Sequence, residues 1–382
     1  MDAMKIQAIH DAGITGEGVT IAVFDGALDL DVPTLADADI EVHQAEGCPD
    51  PLAAEGSDFE SLKHGTSVAS LIVGNGTSDS GEGPVGIAPA ARILYYGVLQ
   101  ESCEGNPFPA ALDDAVAQGA DIVTMSGGPN RLADELAQAS VDSVAAALRA
   151  GVIVVAGLPN RDTAWQFELA TINGVLNVAS VDATAQPAEE TDGSDMRNDD
   201  VDVVAPGIDV AGVGFDASWG MSAWSGNSAA TPIVAGVLAL AKERWPEATA
   251  SQLLQSVIHN TGSKPHELQW SDRLGYGIVN ATRMITEDVS QYPDENPLFT
   301  DGQAPTFDEV YSAPESSAPD AADAQNGTRP GVLPWVLAGG GAVVGLVVVT
   351  LIVVIGRRRG GAVDAGDREK NASVPTSSVH RR

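Results

Sequence analysis

A chain of 382 residues has room for one large domain or two ordinary ones, and 44% hydrophobic residues with 41 glycines is a globular composition. A net charge of −33 speaks against a nucleic-acid partner, because a phosphate backbone would be repelled. The charge is uneven: residues 357–382 hold seven Lys/Arg against three acids, which leaves −37 on the rest.

The first 25 residues contain no apolar core of a signal peptide. Runs of strand length then alternate with helix-like segments. GVTIAVFDG (18–26), ARILYYGVL (91–99), ADIVTMS (120–126), GVIVVAG (151–157) and VLNVASV (175–181) are β-branched and bounded by Gly, Ala or Asp. Between them, FPAALDDAVAQG (108–119) and RLADELAQASVDSVAAALRAG (131–151) repeat apolar residues at three and four. Strands apolar on both faces, alternating with helices, predict an α/β body whose mostly parallel sheet is covered by helices on both sides. Ligands of such folds bind beyond the carboxyl ends of the strands, so the residues just after each strand matter most.

Farther on, the chain changes character twice. Residues 291–331 are rich in Pro, Ala, Ser and acids without any period, which predicts a disordered or extended stalk after a body of residues 1–290. Val332 to Ile355 then forms a run without a single charge, about 36 Å long as a helix, enough to cross the lipid of a membrane once. Arg357, Arg358 and Arg359 follow it. They place the basic tail (356–382) in the cytoplasm and the body outside the cell membrane. An exported body needs a leader, so the true start is expected upstream of Met1. Outside the cell the two cysteines, Cys48 and Cys103, are most simply a disulfide, worth about 4 kcal/mol in the chain-entropy model. Two free thiols are the alternative, and neither has the neighbours of a metal site.

Three element ends carry reactive side chains. Asp25 ends the first strand, His64 opens HGTSVASLIVG ahead of a buried helix, and Ser228 opens another in SGNSAATPIVAG. A serine before an apolar run is a common N-cap, and it is equally a nucleophile at the positive end of a helix dipole. Asp, His and Ser in this chain order, each facing the same side of the predicted sheet, form the arrangement of a catalytic triad.

HGTSVAS (64–70), GNSAATP (226–232), GIAP (86–89), VVAPG (203–207) and GYGIVN (275–280) resemble the subtilisin-like serine proteases over roughly residues 12–285. The resemblance implies the doubly wound α/β subtilisin fold, no cofactor, and hydrolysis of protein or peptide substrates. Ser228 is then the nucleophile, His64 the proton carrier and Asp25 its orienting partner, while Ser126, Gly127 and Gly128 line the substrate groove. A single transmembrane helix behind a Pro-rich stalk resembles the mycosins, membrane-anchored subtilases of type VII secretion systems, which implies secretion-system membrane proteins as partners.

Four positions depart from the family pattern. Gly26-Ala27 follows Asp25 where a hydroxyl residue and glycine are usual. TMSGGPN (124–130) is one residue short of the usual groove segment. Asn227 replaces a threonine. Leu158 stands where an asparagine normally donates into the oxyanion hole, and the next asparagine is Asn160. Either Asn160 swings in as the oxyanion donor or the hole keeps only the Ser228 amide. A crippled hole would make the domain a catalytically weak structural or binding component of a secretion complex rather than an endopeptidase. The acidic stretches DLD (29–31) and RNDDVD (197–202) lack the spacing of a calcium loop and read as solvated surface.

Overall fold

A computed structural model of the chain describes residues 4–52, 59–127, 134–160, 168–188, 198–215 and 218–312. In chain order the elements are α1 (Ile6–Asp11), β1 (Thr20–Phe24), β2 (Ile40–His43), α2 (Phe59–Val73), the hairpin β3 (Asn75–Ser78) and β4 (Gly81–Val85), β5 (Arg92–Tyr96), α3 (Phe108–Ala117), β6 (Ile122–Met125), α4 (Asp134–Arg149), β7 (Ile153–Gly157), β8 (Leu176–Val181) and β9 (Val203–Pro206). The hairpin β10 (Val210–Phe215) and β11 (Ser218–Trp224) follows, then α5 (Asn227–Arg244), α6 (Ala250–His259), α7 (Ala281–Thr286) and α8 (Phe307–Tyr311).

Among the described residues the main sheet has seven strands in the order β2-β5-β1-β6-β7-β8-β9, every neighbouring pair parallel. Alternation along the strands feeds two apolar layers. Ile21, Val23, Ile93, Tyr95, Ile153 and Val155 face the layer built with α2, α5, α6 and α7, and Ala22, Phe24, Leu94, Tyr96, Val154 and Ala156 face the one built with α3 and α4. This is the helix-covered parallel sheet that the alternating apolar runs predict. The strands β2 and β9 and both hairpins were not foreseen. The edge strand β2 is only partly buried, and the hairpins mix glycine with exposed polar residues, so neither carries a clear apolar alternation.

The central helix α5 is buried at every position from Asn227 to Ala241. A helix in that position must be apolar or small on all sides. The packing around it leaves no spare room: a Cβ on Gly236 would stand 2.6 Å from that of Ile87.

The body continues past its expected boundary at residue 290. Residues 292–312, expected as the start of an extended stalk, pack on the body instead. Asn173 donates to the carbonyls of Thr300 (3.1 Å) and Pro305 (3.0 Å) and accepts the Thr300 N–H (2.7 Å). Asn296 donates to Gly174 O, and Leu298 and Val310 are buried. Side-chain amides here satisfy an irregular backbone, so no hydrophobic period announces the packing. The remainder of the expected stalk, the membrane span 332–355 and the basic tail lie outside the described residues. Among the described residues no helix is long and apolar enough to cross a membrane.

A chain ended at residue 290 is expected to be less stable than one ended at 312 by about 3 kcal/mol or more, from losing the burial of Leu298 and Val310 and baring the surface they cover. Urea midpoints of the two proteins test this, and equal midpoints would refute the packing.

Candidate active site

Asp25 follows β1 directly. Its N–H donates to Tyr96 O (3.0 Å) and its carbonyl accepts the Leu99 N–H (2.9 Å), so β5 and the loop after it fix the backbone. The carboxylate is buried, with 1% of the residue exposed. Oδ1 accepts from both the Gly26 N–H (2.7 Å) and His64 Nδ1–H (2.7 Å), while Oδ2 is buried without a partner.

His64 does not open its helix, as the sequence suggested. The helix α2 already runs from Phe59, and His64 projects from its interior. Close approach of α2 to the turn after β1 makes the pairing possible: a Cβ on Gly65 would overlap Tyr95 Oη and the Ala27 carbonyl. Two hydroxyls of α2 hold that turn, Ser61 Oγ accepting the Ala27 N–H (3.2 Å) and Thr66 Oγ1 the Asp29 N–H (3.1 Å). The ring of Trp224 meets His64 edge-on at 5.4 Å, a wall the sequence reading did not identify.

Ser228 is the second residue of α5. Gly226 occupies the N-cap and Ser228 lies inside the helix, so the plain capping role for the serine is ruled out. Its hydroxyl donates to the Ser126 carbonyl at 2.8 Å. Among the described residues His64 Nε2 has no hydrogen-bond partner, and the His64 side chain is 32% exposed. The Ser228 N–H is one of the first helical amides, which lack intrahelical acceptors. Ser126, just after β6, is buried and leaves its own Oγ unpaired. Gly127 follows beside Leu99, whose Cδ1 would lie 3.2 Å from a Cβ there, and Gly128 lies outside the described residues.

Leu158 is buried in the core, and its N–H still pairs with Val178 O in the sheet ladder. Asn160 is the residue that turns toward Ser228. Its Oδ1 accepts the Asn227 N–H at 2.6 Å, and the bare backbone of Gly226 makes room, since a Cβ there would lie 3.0 Å from Oδ1. Asn227, read from sequence as a mild replacement, proves to be the anchor of the site. Its Oδ1 accepts the Ser180 N–H (2.8 Å), and its Nδ2 donates to the carbonyls of Leu158 (3.0 Å) and Pro159 (2.8 Å). One buried amide therefore ties β8, the loop after β7 and the start of α5 together. Its only sequence signal was the departure from threonine.

Desolvation pulls the pKa of His64 down, but the charge of Asp25 and the hydrogen bond to it outweigh that effect, and the net shift is upward from 6.5. A raised folded value means that the pair stabilises the fold below the ordinary pKa, and that this contribution is lost as pH rises through the raised one. The acidic stretches do local work. Asp29 Oδ1 accepts the Asp31 N–H (2.9 Å), and Asp202 Oδ2 accepts the Asn177 N–H (2.8 Å). Burial pushes Asp202 up to about 7, partly opposed by that Asn177 bond, so it is no solvated surface group. Cys48 and Cys103 form a disulfide between the loops that follow β2 and β5.

The titration of His64 followed by NMR is expected to have its midpoint above 6.5 in the native protein and below 6.5 in Asp25→Asn, where only desolvation remains. A midpoint that ignores the substitution would refute the pairing.

Residues 16–277 match the subtilase family, peptidase S8. A thermostable alkaline protease of Halalkalibacterium halodurans is 30% identical over 282 residues, covering 73% of this chain and 71% of the relative. Subtilisin Savinase of Lederbergia lenta is 30% identical over 280 residues, covering 73% of this chain and 94% of that one. Among solved structures, fervidolysin from Fervidobacterium pennivorans, a keratinolytic enzyme related to subtilisin, superposes with a TM-score of 0.61 at 23% identity, over 77% of this chain and 46% of fervidolysin. The order of Asp25, His64 and Ser228, the hydrogen-bonded Asp25–His64 pair after β1, the bond from Ser228 to Ser126 after the neighbouring β6, and a match over most of the body lead to one conclusion: the chain belongs to the subtilase family of serine peptidases.

Proposed function

We propose that the chain is an active serine endopeptidase. The observation that carries this reading is Asn160, docked on the same helix end that bears Ser228. In the reaction Ser228 Oγ leaves the Ser126 carbonyl by a χ1 turn, passes its proton to His64 Nε2 and attacks the substrate carbonyl carbon. The Ser228 N–H and Asn160 Nδ2 meet the oxyanion, helped by the N-terminus of α5. His64 then protonates the leaving amine, and water repeats the sequence on the acyl-enzyme. Asp25 stays ionised and stabilises the imidazolium. The scaffold reading needs an oxyanion hole emptied by Leu158, and Asn160 supplies the side chain that Leu158 lacks.

In this reading the body lies on the outer side of a membrane, tethered through residues 332–355. The uncharged run, the arginines after it and a disulfide of the kind that persists in oxidising compartments support that placement. The same organisation resembles the mycosins, and from it we infer service to a type VII secretion machinery, with secretion-system proteins as neighbours.

Fluorophosphonate is expected to label the full chain and to fail on Ser228→Ala. Asn160→Ala should lower kcat by about 10²–10³, the cost of one lost oxyanion donor in a subtilisin, with little change in KM. An unchanged kcat in that variant, or no labelling of the folded wild type, favours the scaffold. Protease added to intact cells should remove the body and spare the arginine tail, and the reverse pattern would put the body in the cytoplasm.

A further inference from the structure

We propose that the Cys48–Cys103 disulfide is a positioning device for Asp25, holding together the two loops that support the backbone on either side of it. The inference rests on the peptidase reading for its kinetic consequence, though not for its geometry.

Each loop touches the aspartate turn directly. From the loop after β5, the Leu99 N–H donates to Asp25 O (2.9 Å). From the loop after β2, Pro51 O accepts the Leu28 N–H (2.7 Å), and Leu28 forms an isolated bridge with Leu52. The loops also meet each other just below the turn: a Cβ on Gly97 would stand 2.5 Å from Pro51 Cβ and 3.1 Å from Gly26 O. Support for residues 25–28 thus arrives from two chain segments that are far apart in sequence, and the disulfide closes them across 55 residues.

Buried Ala45, Pro51 and Val98 hold the loops near the sheet, and little else keeps their tips together. Apart from the half-buried cysteines, residues 46–50 and 101–105 are exposed, so apolar burial contributes almost nothing there. Two hydrogen bonds cross between them, Glu104 N–H to Gly47 O (2.8 Å) and Gln100 Nε2 to Pro49 O (3.2 Å), both open to water. The residues 44–52 and 97–106 carry four acids, Glu46, Asp50, Glu101 and Glu104, and no base. Their repulsion favours separation once the covalent link is gone.

The aspartate is sensitive to such a loosening. Its Oδ2 has no donor, and Oδ1 is held by the adjacent Gly26 amide and by His64 itself. Among the described residues nothing remote other than His64 pins the carboxylate, so its position follows the backbone of the turn. A displacement of 1 Å at a catalytic group can cost about 10²-fold in rate.

The test compares the oxidised full chain with the same protein reduced by a phosphine and with Cys48→Ser/Cys103→Ser, each checked for fold by circular dichroism. Reduction is expected to lower kcat by about 10²-fold, to move KM less, and to lower the His64 titration midpoint; reoxidation should restore all three. A folded, reduced protein with unchanged kcat and unchanged midpoint overturns the proposal. If the reduced forms unfold, Gln100→Ala with the disulfide intact removes one cross-loop bond and should shift the midpoint in the same direction by less; no shift there overturns it equally. Should the oxidised wild type neither turn over nor label, the peptidase reading fails, and the His64 midpoint still decides the role of the disulfide.

Discussion

A helix buried along most of its length dictates the rest of this site. The helix α5 needs small or apolar side chains all round, yet its N-terminus exposes amides that must find acceptors or remain available for a ligand. Its N-cap residue, Gly226, has no side chain to cap it. The Asn227 amide goes to Asn160 Oδ1, and the side chain of Asn227 spends its own donors and acceptor on neighbouring strands and loops. What remains at the helix end is the Ser228 N–H and its hydroxyl, set where negative charge is favoured. Presenting a nucleophile there is a consequence of leaving one end of a buried helix incompletely satisfied.

The Asp25–His64 pair solves a related problem on the other side of the site. A buried carboxylate is costly unless its oxygens are occupied, and here only Oδ1 is. The charge therefore depends on His64 more than it would with a hydroxyl donor after it, and Gly26 offers none. The same dependence acts in reverse on the imidazole, whose desolvation is outweighed by the partner charge. Glycines set these distances. Gly26 lies against Ser61 and Gly65 against Tyr95, so any side chain at either position would drive α2 away from the turn.

Much of this was legible in the residues themselves. Five β-branched runs became strands of the central sheet because burial on both faces leaves a continuous apolar signature, and Asp25 and Ser228 sit at element ends because that is where a covered parallel sheet is open. Other parts left no comparable trace. The edge strand Ile40–His43 is half exposed, and β9 is short and ends in Pro206. His64 was read as a helix start because small residues follow it into a buried helix; close packing on Ala27 is the reason for the glycine among them. Residues 292–312 resembled a disordered linker in composition, but their order comes from single side chains such as Asn173 and Asn296, which no window average detects.

The altered segment after β7 shows how position in the ladder, more than residue identity at one aligned place, decides what a side chain can do. At Leu158 the chain is still strand: its N–H pairs with Val178 O and its side chain is committed to the core, where a polar amide would be buried without partners. Pro159 has no N–H and so cannot extend the ladder. Asn160 is then the first residue free to turn back over Gly226, and the carbonyls of Leu158 and Pro159, both held by Asn227, fix the path it takes. Asparagine in place of threonine at 227 and asparagine at 160 in place of 158 are on this account one change, because the longer loop needs the longer side chain to secure it.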